Sequence, residues 1–391
     1  MLDKILNCSK SSTFSEVYPL INKYMVEEAL EQKSRFGNTK ELLNFKTIIT
    51  KPVKRCVGGF GRDINIFFLL AEALWIWTGQ KDVEFLKFFN SRMIDFSDNG
   101  KAFHAPYGFR LRYYGQDSIE TQSEGKFIDQ ILLAIKMFSE NSEDRRVVLT
   151  LWNPFFDLGV KSKDLACNCM VMLKIRDNKL FTTVQNRSND VHWGLPTNVF
   201  QFSFLSELMA NCLGIIQGEQ VHNSQSLHFY IDNSIAKNMY DSFEWFISNN
   251  VDMLRGELYS NANTVPLNFN FNSKAPVIRL DELDIMTCNM LQQLRIIIKA
   301  EVEKVGFEEE LKDFSKGLFI IFKLLKIYII YKHSIIDDAN NTDYRRRLAL
   351  ESIEELLSNN SVYKRADFCM LARNFFYKRL NKRGDNFVGT F

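Results

Sequence analysis

The stretch NRSNDVHWGLPTN, Asn186–Asn198, sets a dense group of hydrogen-bonding residues against a Gly-Leu-Pro corner. It runs directly into VFQFSFLSELMANCLG, whose apolar content predicts a buried helix from about Asn198 to Leu213, closed by Gly214. So many polar groups at the mouth of a core helix need protein partners, water or a ligand. Just upstream, CMVMLKIRDNKLFTTVQNRS reads as a β-hairpin, because two β-rich runs flank the turn-prone pair Asp177-Asn178. Downstream, SQSLHFYIDNSIAKNMY reads as a strand or loop passing into another helix.

Working outward, residues 1 to about 50 read as helical and amphipathic. KPVKRCVGGFGRD, Lys51–Asp63, is a basic, glycine-containing loop. INIFFLLAEALWIWTG reads as a buried helix stopped by Gly79. Within it Glu72 is a lone carboxylate among Phe, Leu and Trp, and it needs a partner, water or a chemical role. KFIDQILLAIKMFSE is an amphipathic helix, and DRRVVLTLWNP a strand opened by Arg145 and Arg146. After about residue 288 four successive segments carry helical apolar spacing. That predicts two units: residues 1–287, and an all-helical C-terminal extension over 288–391.

Composition bounds the class. With 391 residues and 46% hydrophobic content, the chain has material for one large domain or a domain plus an extension. Thirty-four Phe against seven Pro favour long regular elements over linkers. A net charge of +2 gives no general pull toward nucleic acid. The C-terminal segment from Ser361 to Arg383 has seven Lys or Arg residues against Asp367 alone, and a solvated basic helix face is preferred there over a nucleic-acid contact. Seven cysteines, an odd number, do not form a disulfide framework and suit a reduced, cytoplasmic protein. MLDKILNCSKSSTF has no long apolar run, so no secretion leader is expected. The most lipid-like run, GLFIIFKLLKIYIIY, is short of a span and carries Lys323 and Lys326, so a buried or partner-facing helix is expected rather than a membrane one.

Cys167, in DLACNCMV, admits four readings. It is a packed structural cysteine, a metal ligand with Cys169, half of a disulfide, or a nucleophile. A C-x-C pair with no second Cys/His pair nearby is a weak zinc signal, so no metal is expected. Alternate strand positions rarely bridge. A nucleophile needs local positive charge to lower its pKa, and Arg187 lies across the hairpin to supply it.

The surrounding residues resemble the thymidylate synthase family, with its pyrimidine hydroxymethylase relatives. Cys167 precedes Arg187-Ser188 by twenty positions; Asp190, Gly194-Leu195-Pro196, Asn198, His228 and Tyr230 follow at the family's spacing. EALWIWTG resembles the family's Glu-bearing helix, APYGFRLR its Tyr-Gly segment and DRRVVLTLWNP its twin-arginine strand. The resemblance covers roughly residues 61–233. It implies an α/β fold (α+β in some schemes), a large mixed sheet with packed helices forming the catalytic domain, and a homodimer. It also implies Cys167 as nucleophile toward C6 of a pyrimidine nucleoside monophosphate, with 5,10-methylenetetrahydrofolate as one-carbon donor.

Residue roles follow by the same resemblance. Arg187 and Ser188 hold the phosphate, joined by Arg145 and Arg146 from the partner subunit. His228 and Tyr230 contact the sugar, Asn198 reads the base, and Asp190 sits near the pterin. Glu72 moves protons, also beside the folate, and Tyr107 assists at C5. An amide at position 198 suits uracil, where an aspartate would suit cytosine. A uridine nucleotide is therefore expected, dUMP being favoured, with a methylated product slightly preferred over a hydroxymethylated one. A nucleotide-binding sensor on the same fold is the alternative of another class. Three departures bear on the product: Ala166-Cys167-Asn168 stands where the family has Pro-Cys-His, the C-terminal NFVGTF is a poor match for the usual closing tail, and either Arg55 or Arg62 fills the phosphate-loop position.

Overall fold

The hairpin expected around Asp177-Asn178 forms and lies within the sheet. In the computed structural model, strands β5 (Asn168–Arg176) and β6 (Lys179–Asn186) pair antiparallel, and Asp177 and Asn178 both take left-handed backbone angles, φ 48° and 57°. That is the geometry a two-residue hairpin requires. The structure describes residues 8–34, 37–57, 64–116, 127–248, 278–299, 307–337 and 342–381.

Around the hairpin lie β1 (Cys8–Ser11), β2 (Leu30–Ser34), β3 (Gly37–Ile49), β4 (Val148–Thr150), β7 (Asn189–Asp190) and β8 (Ile216–Tyr230). They form one mixed sheet in the order β1-β3-β8-β6-β5-β4, with β2 beside β3 and β7 beside β8. The two faces differ. One row across the sheet, Leu149, Val171, Val184, His222 and Thr47, is buried. The adjacent row on the other face, Val148, Met172, Thr183, Val221 and Ile48, is only partly covered, and Val148 is 44% exposed.

The expectation of a helical first fifty residues is corrected. Only α1 (Phe14–Glu28) is helical there, capped reciprocally by Thr13 and Glu16; the rest is β1, β2 and the thirteen-residue β3. Beyond it come α2 (Ile66–Trp77), α3 (Val83–Phe89), α4 (Tyr107–Arg112), α5 (Gln130–Glu140), α6 (Pro154–Asp157), α7 (Gly194–Cys212) and α8 (Ser234–Ser248). Gly79 and Gly214 end α2 and α7 in left-handed conformation, as the sequence indicates.

The C-terminal helices are α9 (Leu280–Ile298), α10 (Phe307–Phe314), α11 (Lys316–Asp337), α12 (Thr342–Ser358) and α13 (Asp367–Asn381). The expected boundary at 287/288 falls inside α9. These helices share one apolar core with α2 and α7. Phe67 of α2 stacks on Tyr328 of α11 at 4.4 Å and meets Phe375 of α13 edge-on at 5.2 Å. In α11, Lys323 and Lys326 both pair with Glu308, and among the described residues no helix is long and apolar enough to cross a membrane. Two of the C-terminal basic residues are also engaged: Arg373 pairs with Glu354, and Arg379 lies over the Phe375 ring.

Candidate active site

Strand register brings the polar motif together. The start of β5 lies beside the end of β6 (Asn168 opposite Asn186), β6 runs parallel to β8, and β7 sets Asp190 opposite His228. Cys167, Arg187, Ser188, Asp190, His228 and Tyr230 therefore converge at one end of the sheet, where α7 begins.

Cys167 is held from both sides. Its carbonyl accepts the Arg187 backbone N–H at 2.9 Å. The Tyr107 hydroxyl accepts its N–H at 3.3 Å and that of Asn168 at 3.4 Å. The guanidinium of Arg187 donates to the carbonyls of Ala166 and Leu165 at 2.9 and 3.1 Å, reaches the Cys167 Sγ at 3.7 Å, and packs over the Trp152 ring. These bonds use two of five guanidinium N–H groups on carbonyls, so others are left for an anion. Burial pushes the Cys167 thiol up, and Arg187 opposes it. Burial likewise raises Tyr107, with the thiolate of Cys167 adding to the effect.

Tyr107 reaches this position because α4 lies almost against α2. A Cβ on Gly108 would come 2.2 Å from the Ile76 carbonyl oxygen, so only glycine permits the approach. On α2, Glu72 accepts a hydrogen bond from the Gln201 side chain of α7 at 2.7 Å. Burial raises Glu72 to about 7, while the Gln201 bond pulls the other way.

Asp190 Oδ1 accepts the backbone N–H groups of His192 and Trp193 at 2.5 and 2.9 Å, which fixes the turn into α7. The indole of Trp193 is 38% exposed beside it. The Ser188 hydroxyl lies 3.5 Å from Nδ1 of His228, whose ring meets Tyr230 edge-on at 4.9 Å. Asn198 accepts from Asn168 at 3.0 Å and donates to Asn189 at 3.1 Å.

The twin arginines do not join this group within the chain. Both precede β4 at the exposed sheet edge, and Arg146 is tied to Asp144 at 2.6 Å, holding that carboxyl at about 2. Arg55 is removed from the phosphate candidates. It is buried, paired with Glu207, and its backbone N–H bonds to Asp367 of α13 at 2.9 Å. Arg62 and the NFVGTF tail lie outside the described residues. Cys169 is the residue at which the β5–β6 register shifts, and all seven cysteines are free. Among the described residues no group of His, Cys, Asp and Glu is placed to hold a metal.

Sequence reasoning did not single out Gln201, Asn189 or Ser224. Gln201 carried a usable signal: it is a polar residue one turn after Asn198 in an apolar helix, the argument that drew attention to Glu72.

Similarity to known proteins bears on this geometry. The family model described as thymidylate synthase matches residues 61–296. A deoxyuridylate hydroxymethyltransferase of Bacillus phage SP01 is 36% identical over 225 residues, 57% of this chain and 58% of that protein. One of Pseudomonas phage M6 is 39% identical over 186 residues, 47% and 50% of the two chains. A thymidylate synthase 1/2 of Encephalitozoon cuniculi is 35% identical over 128 residues, 32% and 43% of the two. The chain thus spans about half the length of the curated relatives it matches.

Proposed function

From the premise that this chain belongs to the thymidylate synthase family, we propose that it is an enzyme transferring a one-carbon unit to C5 of deoxyuridine monophosphate. The observation that carries the reading is Cys167, fixed by Tyr107 and placed 3.7 Å from a guanidinium that favours its thiolate. Binding alone does not call for such a thiol.

The thiolate adds to C6 of the base, which gives C5 enolate character and makes it nucleophilic. Asn198 donates to the O4 that carries the developing charge. Arg187 and Ser188 take the phosphate, His228 and Tyr230 the sugar, and Glu72, near neutrality in its titration, moves protons at the base. Tyr107 assists loss of the C5 proton.

The donor implied by the family is 5,10-methylenetetrahydrofolate. Its pterin matches the residues present: the Asp190 carboxylate suits an N–H-bearing ring edge, and the exposed Trp193 offers a flat apolar surface. When bound, it supplies the carbon in an activated form.

The sequence alone slightly favours a methyl product; the relatives and the site favour the hydroxymethyl product. Two relatives matched over the longer stretches carry that activity in their names. The site adds a physical reason. Gln201 Oε1 is buried with no partner among the described residues, while its amide N–H holds Glu72. A buried carbonyl oxygen of this kind recruits water, and that water can give a proton to the Glu72 carboxylate, raised to about 7, as its oxygen adds to the one-carbon unit carried on C5.

The partly covered sheet face suits a homodimer that brings Arg145 and Arg146 to a partner's phosphate site, and seven free thiols suit a cytoplasmic setting. Mass spectrometry of products from dUMP with and without methylenetetrahydrofolate tests the whole reading. A mass gain of one methyl group supports the thymidylate product instead, and no folate-dependent product refutes the enzyme reading.

A further inference from the structure

Arg110 lies one turn beyond Tyr107 on α4 and is 0% exposed. Its guanidinium forms a two-bond fork with the equally buried side chain of Asp157: Nη1 donates to Oδ2 at 2.6 Å and Nη2 to Oδ1 at 2.9 Å. Nη1 also donates to the Leu151 carbonyl at 2.7 Å, and Nη2 to that of His104 at 3.3 Å. We infer that Arg110 is a positioning residue, which locks α4 to residues 151–157 and so holds the Tyr107 hydroxyl on the backbone of Cys167. The inference rests on the reading of Cys167 as the nucleophile.

Residues 151–157 are themselves fixed to the nucleophile's strand. The backbone N–H groups of Leu151 and Trp152 both donate to the Cys169 carbonyl at 2.9 Å. Asp157 Oδ2 accepts the Asn153 N–H at 2.9 Å, which closes the turn at α6, and the Trp152 ring backs the Arg187 guanidinium. On the opposite side, the Tyr107 hydroxyl accepts the N–H groups of Cys167 and Asn168 at 3.3 and 3.4 Å. Arg110 thus closes a ring of contacts that runs from Cys167 through Tyr107 and α4 to residues 151–157 and back to Cys169. The two Tyr107 bonds exceed the usual range of about 2.7–3.2 Å, so a small shift of α4 breaks them.

Two fully buried charges lose in desolvation most of what their attraction returns, so the pair adds little net stability. What a bidentate guanidinium adds is direction, because its planar fork matches the carboxylate in one geometry. The contacts of Gly108 with Ile76 and of Arg112 with Asp284 tie α4 to α2 and α9. Arg110 ties it instead toward the end of the sheet that holds Cys167. Two neighbours assist: Gln130 Nε2 donates to the Arg110 and Thr150 carbonyls at 2.8 and 2.9 Å, and Asp164 accepts the Ala105 N–H at 2.7 Å.

The test follows the covalent adduct of Cys167 with a fluorinated dUMP, formed in the presence of methylenetetrahydrofolate and read by mass spectrometry of the full chain. Rates at saturating nucleotide are compared in a cycle of wild type, Arg110→Lys, Tyr107→Phe and the double variant. Lysine keeps the charge and loses the fork. Arg110→Lys should slow adduct formation by about tenfold or more, as a displaced reacting geometry does. With the Tyr107 hydroxyl absent, the same exchange should have no further effect, because the group that Arg110 positions is gone. A purely structural role slows both backgrounds equally; that result, or a wild-type rate in folded Arg110→Lys, overturns the inference and leaves Cys167 as the nucleophile. If Arg110→Lys fails to fold, Arg110→Gln combined with Asp157→Asn takes its place in the cycle with the same outcomes, since that neutral pair leaves no buried charge unpaired. A wild type that forms no adduct at Cys167 overturns the nucleophile reading and the inference with it.

Discussion

Replacing Glu72 by glutamine should stabilise the fold at alkaline pH while lowering activity. The Glu72 carboxyl has an ordinary value of 4.5 and is raised to about 7 in the fold by burial. A carboxyl raised on folding favours the native state below its unfolded pKa, and that benefit disappears as pH rises from 4.5 through about 7. Above that range the native state holds a carboxylate it disfavours. At about 1.4 kcal/mol per pKa unit, the full cost is about 3 kcal/mol at pH 8, falling to about 1 kcal/mol at pH 5. Glutamine has nearly the same shape and no charge, and its carbonyl accepts from Gln201 as the carboxylate does. Urea denaturation of wild type and Glu72→Gln at pH 5 and pH 8 should therefore give a larger stabilisation at pH 8, by about 2 kcal/mol. Turnover should drop by about a hundredfold or more, the usual worth of a positioned acid–base group. An equal stability change at the two pH values would mean that Glu72 titrates normally, and the proton-transfer role would lose its physical basis.

Cys167→Ser should abolish turnover and retain most nucleotide affinity, because Arg187 and Ser188 are separate groups; a fluorinated dUMP with folate should label Cys167 by mass spectrometry, and a label on Cys169 would move the nucleophile. Asp367→Ala leaves the buried N–H groups of Arg55 and Cys56 without their acceptor, bonds of 2.9 and 3.0 Å. It should lower stability by about 3 kcal/mol in denaturant, whereas a change below the error of that measurement would deny the contact. Mixing Arg146→Ala with Arg187→Ala subunits should restore activity through hybrid dimers with one intact site; hybrids that form but stay inactive would place both arginines in one subunit's site.

The site was more legible in the sequence than the fold was. Chemistry-bearing residues keep fixed spacings because strand register fixes them: Cys167 and Arg187 sit at the two open ends of one hairpin, and a turn at Asp177-Asn178 forces them together. The first fifty residues imitate a helix for a local reason. In β3 the strict alternation breaks at Asn44, which takes a left-handed φ of 55° and leaves Leu43 54% exposed beside buried Leu42. A two-residue apolar step of this kind imitates helical spacing. Arg55 illustrates a different limit. A basic residue in a glycine-containing loop suits phosphate, but Glu207 and Asp367 are distant in sequence and claim it first. The partners of Asn168 and Gln201 were equally invisible, since polar letters in apolar runs do not say which neighbours they meet.

The C-terminal helices hold the elements that carry the candidate site residues in place as well as covering them. On α9, Asp284 pairs with Arg112, which lies on the same short helix as Tyr107. Also on α9, Arg295 pairs with Asp82, the residue that caps α3. On α11 and α13, Tyr328 and Phe375 clasp Phe67 of α2, the helix that carries Glu72. On α13, Asp367 fixes the backbone at Arg55 and Cys56. Tyr107 and Glu72 thus sit on elements whose outer sides are bound to these C-terminal helices, and the backbone contact at Gly108 links those two elements directly. A helix as short as α4, six residues, is marginal without such packing. Loss of the C-terminal helices α9 to α13 would therefore release Tyr107 from Cys167 and expose Glu72 to water, returning its titration toward the ordinary carboxylate range.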